Sequence, residues 1–299
     1  MTISVIICTR NRGALIEATL QSILDGTRQP DELLVVDQSD GTDTRGAVEQ
    51  FAARVKEICY LPTPTRGLSR ARNVGLEQSQ GELIVFTDDD VVVERNWLAE
   101  IAQEFDTYPR LAFLFGTVLP PDSYDWKTEF VPYCRVVTKR PVRWFHREAF
   151  SGMGANMSLR RATFERVGGF DAAVGPGADM TGDDYEYALR CLCHCPPLEM
   201  HLLDAARVVH YAGARSGAEY YRFVHQMNGT GMGLFWAYLL RKRNLRYKVK
   251  AMQSLLAPLG GFLGQIVRGR KPSGLRTYIY SLNGFAVGMK RPLEGSNQA

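Results

Sequence analysis

Ile3-Ser-Val-Ile-Ile-Cys8 is an apolar run followed at once by Thr9-Arg10-Asn11-Arg12, and Glu32-Leu-Leu-Val-Val-Asp37 repeats the arrangement one helix-length later. Runs without polar alternation suit strands buried on both faces of a sheet, as parallel strands are. Glu57 to Leu61, Leu83 to Thr87 and Leu111 to Phe115 are further candidate strands. Between them Ala14 to Leu24, Thr44 to Arg54, Leu68 to Gln78 and Asn96 to Phe105 repeat apolar residues at helical spacing. The order over residues 1–116 is βαβα, which predicts a largely parallel sheet flanked by helices. Ligands of such sheets lie beyond the carboxyl ends of the strands. Thr9, Asp37 and Asp88, each just past a strand, are therefore expected to converge on one crevice.

The chain has 299 residues, 45% of them hydrophobic, enough to bury a large core. Residues 120–150, rich in Pro, Trp, Tyr and Arg, lack a clear period and read as a long functional loop or subdomain linker. Order returns with a strand from Gly154 to Arg160, a short helix from Arg161 to Val167, a helix from Asp183 to Cys193 and a strand from Leu202 to His210. Everything after Gly217 reads as helices. The N-terminal stretch is not expected to be a secretory signal, and the six cysteines, Cys8, Cys59, Cys134, Cys191, Cys193 and Cys195, are expected to stay reduced. The one-residue spacing in Cys191-Leu-Cys193-His194-Cys195 scatters the sulfurs around a helix end, which does not suit zinc. Gly229-x-Gly231-x-Gly233 has no strand before it, so close helix packing explains it better than nucleotide binding.

Phe86-Thr-Asp88-Asp89-Asp90-Val-Val-Val ends a buried strand in three carboxylates. Crowded carboxylates repel one another; a hard divalent cation bound by their oxygens relieves the repulsion and can bridge a diphosphate. The plainer alternative is an acidic loop or helix start. A second acidic group, Thr181-Gly-Asp183-Asp184-Tyr-Glu186, opens a helical pattern after a glycine-led turn. A carboxylate there could take a proton from an incoming hydroxyl, or could simply cap the helix.

Val5-Ile-Ile-Cys-Thr9-Arg-Asn11-Arg12, Val35-Val-Asp37-Gln-Ser39, Gly67-Leu-Ser-Arg-Ala-Arg72-Asn73-Val-Gly75, Phe86-Thr-Asp-Asp-Asp90, Gly168-Gly-Phe-Asp171 and Gly182-Asp-Asp184-Tyr-Glu186, in this order, resemble the family 2 glycosyltransferases. The resemblance spans about residues 1–215. It implies the α/β GT-A nucleotide-diphospho-sugar transferase fold, a Rossmann-like, mostly parallel sheet flanked by helices. Residues 1–116 would form its nucleotide-binding half and 117–215 its acceptor-binding half, with 216–299 as a helical extension. It also implies inverting transfer from a nucleotide sugar, usually dependent on Mn²⁺ or Mg²⁺, with UDP, GDP and dTDP donors left undistinguished. Carried over by position, Thr9, Arg10 and Asp37 would surround the base and ribose, and Arg72 would lie near the nucleotide. Asp88 would face the ribose and Asp90 the metal, with Asp89 sharing either task. Asp184 would be the general base; Asp183 stands where the family usually has Glu, which leaves its role open. His210 resembles a late histidine that completes the metal site, although a histidine at a strand end is often structural. Arg10 stands where the family often has an aromatic residue, and a guanidinium plane can also stack on a base.

The net charge of +4 conceals a split: residues 1–219 carry 31 acidic against 23 basic side chains, whereas 220–293 carry 13 basic and no acidic ones. Apolar segments beside cationic ones suit an anionic membrane surface. A helical cap whose bases face the acidic part of the chain is the alternative. Nucleic acid is not expected, because no binding motif accompanies the charge. No window reaches the roughly 18 uninterrupted apolar residues of a spanning helix. The expectation is a cytoplasmic enzyme peripheral on the inner face of the cell membrane, acting on a glycan or lipid-linked acceptor. Two other functions compete. A nucleotidyltransferase would bring a glycine-rich loop after the first strand, but Thr9-Arg-Asn-Arg-Gly13 has one glycine. A non-catalytic adaptor would leave Asp88–Asp90 and Asp184 unexplained.

Overall fold

A computed structural model of the chain describes residues 1–52, 58–125, 129–194, 196, 198–211 and 214–291. Arg54, Glu57, Cys195, residues 126–128 of the long loop and residues 292–299 of the extension lie outside the described residues. The first half alternates β1 (Ile3–Thr9), α1 (Leu15–Leu24), β2 (Glu32–Asp37), α2 (Asp43–Ala52), β3 (Ile58–Pro62), α3 (Leu68–Gln78) and β4 (Leu83–Asp88). It continues through β5 (Val91–Val93), α4 (Trp97–Thr107) and β6 (Leu111–Leu119). Then come β7 (Glu129–Phe130), β8 (Lys139–Val142), β9 (Asn156–Arg160), α5 (Arg161–Val167), α6 (Asp183–Cys193), β10 (Glu199–His210) and β11 (Arg215–Ser216).

β3, β2, β1 and β4 pair in parallel, in that spatial order. Their apolar runs are continuous because both faces are covered. Ile3, Val5 and Ile7 pack with Leu20, Val48 and Ile101 of α1, α2 and α4, whereas Ile6, Leu34 and Phe86 pack with Ala71, Leu76 and Tyr187 of α3 and α6. Each such fully buried side chain contributes about 1.5–3 kcal/mol of transfer free energy.

The second half departs from a parallel sheet. β9 is inserted antiparallel between β4 and β6, so the strand at Leu111 does not neighbour β4 as simple βαβα order suggests. β10 runs parallel to β6 and antiparallel to β5 and β8. Val91–Val93 is the element the sequence reading did not separate from the acidic motif; three β-branched residues give the end of β10 a partner. Between Leu203 and Arg207 the register of β10 against β6 shifts. Buried Asn156 spans that irregularity: its amide donates to the carbonyls of Thr117 and Ala206, both at 2.9 Å, and its oxygen accepts the Trp97 indole N–H at 2.9 Å. All its polar capacity toward the core is thus used.

Two compact units emerge, Met1–Gly177 with Asp183–Arg215, and Ala178–Gly182 with the chain from Ser216. In the second, α7 (Gly217–Tyr220) leads through a π-helical stretch, Tyr221–Asn228, into α8 (Gly229–Arg241), followed by α9 (Leu245–Val267) and α10 (Leu275–Lys290). In the Gly229-x-Gly231-x-Gly233 series, Gly229 and Gly233 serve helix packing, while Gly231 faces Thr181. A Cβ on Gly233 would lie 1.9 Å from the Ser281 carbonyl of α10, and one on Gly284 would lie 2.2 Å from the Thr230 carbonyl. No helix among the described residues is long and apolar enough to cross a membrane.

Candidate active site

Strand register sets the first residues of the site. Thr9 lies beside Asp37, and Cys8 beside Asp88, at the carboxyl ends of β1, β2 and β4. Asp37 is buried and held from two sides, by the Tyr60 hydroxyl at 2.8 Å and the Ser39 N–H at 2.8 Å. Burial and donation to Asp37 push the Tyr60 phenol up to about 12, so it stays a donor. The Thr9 hydroxyl donates to Asp89 at 2.6 Å, so these two buried groups occupy each other. Beyond the strand Asn11 takes φ 55, a conformation asparagine tolerates, and its side-chain oxygen accepts the Asp40 N–H at 3.0 Å. Arg10 is half-exposed with its guanidinium 3.8 Å from Asp40, whose carboxyl is held low by the Asn11 hydrogen bond and by Arg66.

After Asp88 the chain turns directly into β5. Pairing of Val91 with His210, and a 3.1 Å hydrogen bond from the Tyr211 N–H to the Asp90 carbonyl, lock the end of β10 against this turn. His210 Nε2 thereby comes within 3.2 Å of Asp90 Oδ1, while the Arg12 guanidinium approaches Asp90 Oδ2 at 3.2 Å. Asp88, Asp90 and His210 each offer a donor atom, all within 4.8 Å of one another. Burial raises the pKa of Asp90, opposed by His210, and pushes Asp89 up to about 7, opposed by the Thr9 hydroxyl. Asp90 and His210 are buried and Asp88 is partly exposed; two carboxylates this close repel each other, and with the imidazole they suit a divalent ion such as Mn²⁺ or Mg²⁺. Asp88, assigned from the sequence to the ribose, belongs geometrically to this donor set.

The second acidic group opens α6. Asp184 is fixed by two backbone donors, Gly154 N–H at 2.9 Å and Tyr185 N–H at 2.8 Å. Burial, with the charge of Asp183 beside it, pushes Asp184 up to about 7. Asp183 turns instead to Arg72, with which it forms a buried ion pair. Arg72 also lies 3.8 Å from Asp88, with its guanidinium 5.4 Å from the Phe170 ring and 5.9 Å from that of Phe86. It is 3% exposed. Its side chain joins the two acidic groups rather than extending into open space. Glu186 is committed to Arg190, which also binds the Val167 and Gly169 carbonyls.

Several contributors were not assigned roles from the sequence: Arg12 on Asp90, Tyr60 on Asp37, and two glycines that make room. A Cβ on Gly154 would lie 2.3 Å from Arg72 Nη2, and one on Gly175, at φ +110, would lie 2.8 Å from the Asp183 carboxyl carbon. Arg12 was visible within the first motif; Tyr60 became relevant only through β3 register.

Residues 4–168, more than half of the chain, match glycosyl transferase family 2. The chain belongs to that family. A relative of this family 2 transferase is the glucosyl-dolichyl phosphate glucuronosyltransferase of Haloferax volcanii, 26% identical over 259 residues, which cover 83% of this chain and 79% of the relative. Another is the GalNAc(5)-diNAcBac-PP-undecaprenol beta-1,3-glucosyltransferase of Campylobacter jejuni, 28% identical over 130 residues, or 43% of this chain and 41% of that one. Among solved structures, S. aureus TarS 1–349 in complex with UDP-GlcNAc superposes with TM-score 0.65 at 18% identity, covering 97% of this chain and 82% of that one. The mannosyltransferase PcManGT from Pyrobaculum calidifontis, in complex with GDP-Man and Mn²⁺, gives 0.64 at 19%, covering 96% and 87%. The fold of the transferase is GT-A, as the sequence resemblance implied. Family membership selects glycosyl transfer over nucleotidyl transfer and over an adaptor role.

Proposed function

We propose that this transferase moves a sugar, with inversion, from a nucleotide diphosphate donor to an acceptor hydroxyl. The observation that carries the reading is the Asp88–Asp90–His210 donor set at the end of β4, the β4–β5 turn and the end of β10, tied through Arg72 to the acidic start of α6. The residues are assigned to the roles their positions favour. Thr9, Arg10 and Asp37 border the base and ribose; Asp89 braces Thr9. Asp88, Asp90 and His210 hold the divalent ion, Mn²⁺ or Mg²⁺. When bound, that ion supplies positive charge against the diphosphate as it departs. Asp184 accepts the proton of the acceptor hydroxyl while that oxygen bonds to the anomeric carbon and the donor's carbon–oxygen bond to the diphosphate breaks. Residues 1–116 serve the nucleotide and 117–215 the acceptor.

The activities of the two relatives above, on dolichyl phosphate and undecaprenol-linked substrates, favour a lipid-linked acceptor for surface polysaccharide or glycolipid synthesis. The acid-free, basic residues 220–293 favour a peripheral place on the cytoplasmic face of an anionic membrane. Calorimetric titration with UDP, GDP, dTDP, CDP and ADP, each with Mn²⁺ or chelator, tests the donor site. One nucleotide is expected to bind with metal only, and Asp90→Ala to abolish that binding. Binding of none of the five, or binding indifferent to Asp90, overturns the assignment.

A further inference from the structure

From Met252 to Val267, α9 contains no charged residue, and not one of its residues is buried. The start of the same helix behaves differently, with Tyr247, Lys250 and Ala251 buried. Leu256, Leu259, Leu263 and Ile266 are 51, 42, 64 and 56% exposed. Counted from Met252 they recur at steps of four, three, four and three, so they form one stripe along the helix. Soluble proteins rarely leave a contiguous apolar surface of this kind open, and where they do it marks a contact site. Small residues do not reveal a missing helix neighbour within the molecule, since a Cβ on Gly260, Gly261 or Gly264 would meet nothing within 4 Å. α10 repeats the pattern: Leu275, Ile279, Leu282 and Met289 are exposed while Tyr278, Ser281, Gly284 and Gly288 on its other face are buried.

A stripe of this spacing would suit a second copy of the chain, but the charges oppose it. Helices that pair along such a seam are flanked by residues of both signs. Here the flanks are Arg246 and Lys248 before the segment and Arg268, Arg270 and Lys271 after it, with no acid anywhere from 220 to 293. Two copies packed stripe to stripe would bring like charges together. Spanning a bilayer is also excluded for this segment, because its sixteen residues rise only about 24 Å against a hydrocarbon core of about 30 Å. An anionic lipid surface satisfies both the stripe and its flanks.

We infer that Met252–Val267 of α9 lies in the plane of an anionic lipid leaflet, with Leu256, Leu259, Leu263 and Ile266 among the acyl chains and Arg268, Arg270 and Lys271 at the phosphate headgroups. The assignment rests on the peripheral membrane reading above and names the surface that carries it. The test is co-sedimentation of the full chain with phosphatidylcholine vesicles, with and without phosphatidylglycerol. Wild type, Leu259→Glu/Leu263→Glu and Arg268→Ala/Arg270→Ala/Lys271→Ala are compared, with Mn²⁺–nucleotide calorimetry as the check of folding. Wild type is expected to bind the anionic vesicles. The leucine variant should bind at least about tenfold more weakly, and the basic variant should lose its preference for phosphatidylglycerol, both with unchanged nucleotide binding. Equal vesicle binding by wild type and the leucine variant would overturn the α9 assignment and leave the peripheral reading standing. No vesicle binding by the wild type would overturn both. A wild-type dimer that the leucine variant dissociates, without vesicle binding by either, would assign the stripe to a second copy instead.

Discussion

Replacing Asp184 by Asn keeps the size of the side chain and removes its capacity to accept a proton. A carboxyl pushed up to about 7 is ionised in roughly a tenth of molecules at pH 6 and nine-tenths at pH 8. Turnover that needs the ionised base therefore rises about tenfold across that interval. The same group sets a stability trend of unusual sign. Folded Asp184 holds its proton more tightly than an unfolded aspartate, so it withdraws stability as pH rises from about 4 to about 7 and withdraws no more above that. In Asp184→Asn the contribution of this group to both trends is lost. The two backbone donors now meet one carbonyl and one NH₂, so one hydrogen bond of about 1 kcal/mol is lost. The expected kcat is about 10²–10⁴-fold lower, and Mn²⁺-dependent nucleotide binding is unchanged because Asp184 is outside the Asp88–Asp90–His210 donor set. The assay is release of nucleoside diphosphate at saturating donor and acceptor between about pH 6 and pH 8. A variant that keeps more than about a tenth of wild-type kcat, or a wild-type profile flat across that range, refutes the base assignment.

Asp183→Asn, one residue away, should behave in the opposite way: it leaves the buried Arg72 guanidinium without its closest carboxylate, and urea unfolding should show a loss of about 3–5 kcal/mol. Gly154→Ala places a Cβ 2.3 Å from Arg72 Nη2, so Arg72 must shift; a stability loss of about 1–3 kcal/mol with a fall in kcat is expected by denaturation and turnover assays. His210→Ala removes the imidazole from the metal donors, and Mn²⁺ binding followed by electron paramagnetic resonance should weaken at least about tenfold while far-ultraviolet circular dichroism stays unchanged.

What could be read from the chain depended on how local the cause was. The parallel half was legible because Ile3–Thr9, Glu32–Asp37 and Leu83–Asp88 carry the signature of strands covered on both faces, and the convergence of Thr9, Asp37 and Asp88 follows from parallel register alone. The antiparallel position of β9 was not legible. Asn156–Arg160 reads as a strand in isolation, but its place between β4 and β6 is decided by what the rest of the sheet leaves open. Val91–Val93 was hidden for the opposite reason, since a three-residue strand next to three aspartates reads as the tail of a motif until β10 arrives to pair with it. The partner of Asp183 is of the same kind. Arg72 and Asp183 are far apart in sequence, and only the packing of α3 against the start of α6 makes them an ion pair.

That ion pair bears on how the site keeps its geometry. The proposed inverting displacement would need the base and the departing diphosphate on opposite sides of one carbon, at a separation that tolerates little error. The residues proposed for the two tasks come from different elements, the β4–β5 turn and the first turn of α6, and nothing in the sheet register alone fixes the distance between those elements. Arg72 does so: one guanidinium reaches Asp183 and lies 3.8 Å from Asp88, and it sits over the rings of Phe86 of β4 and Phe170 of the loop before α6. Lysine at this position could meet one carboxylate but could not offer a planar fork to two acids. The same reasoning explains the glycines around it. Gly154 leaves space for the guanidinium, and its N–H holds Asp184, so the residue that admits Arg72 also orients the proposed base.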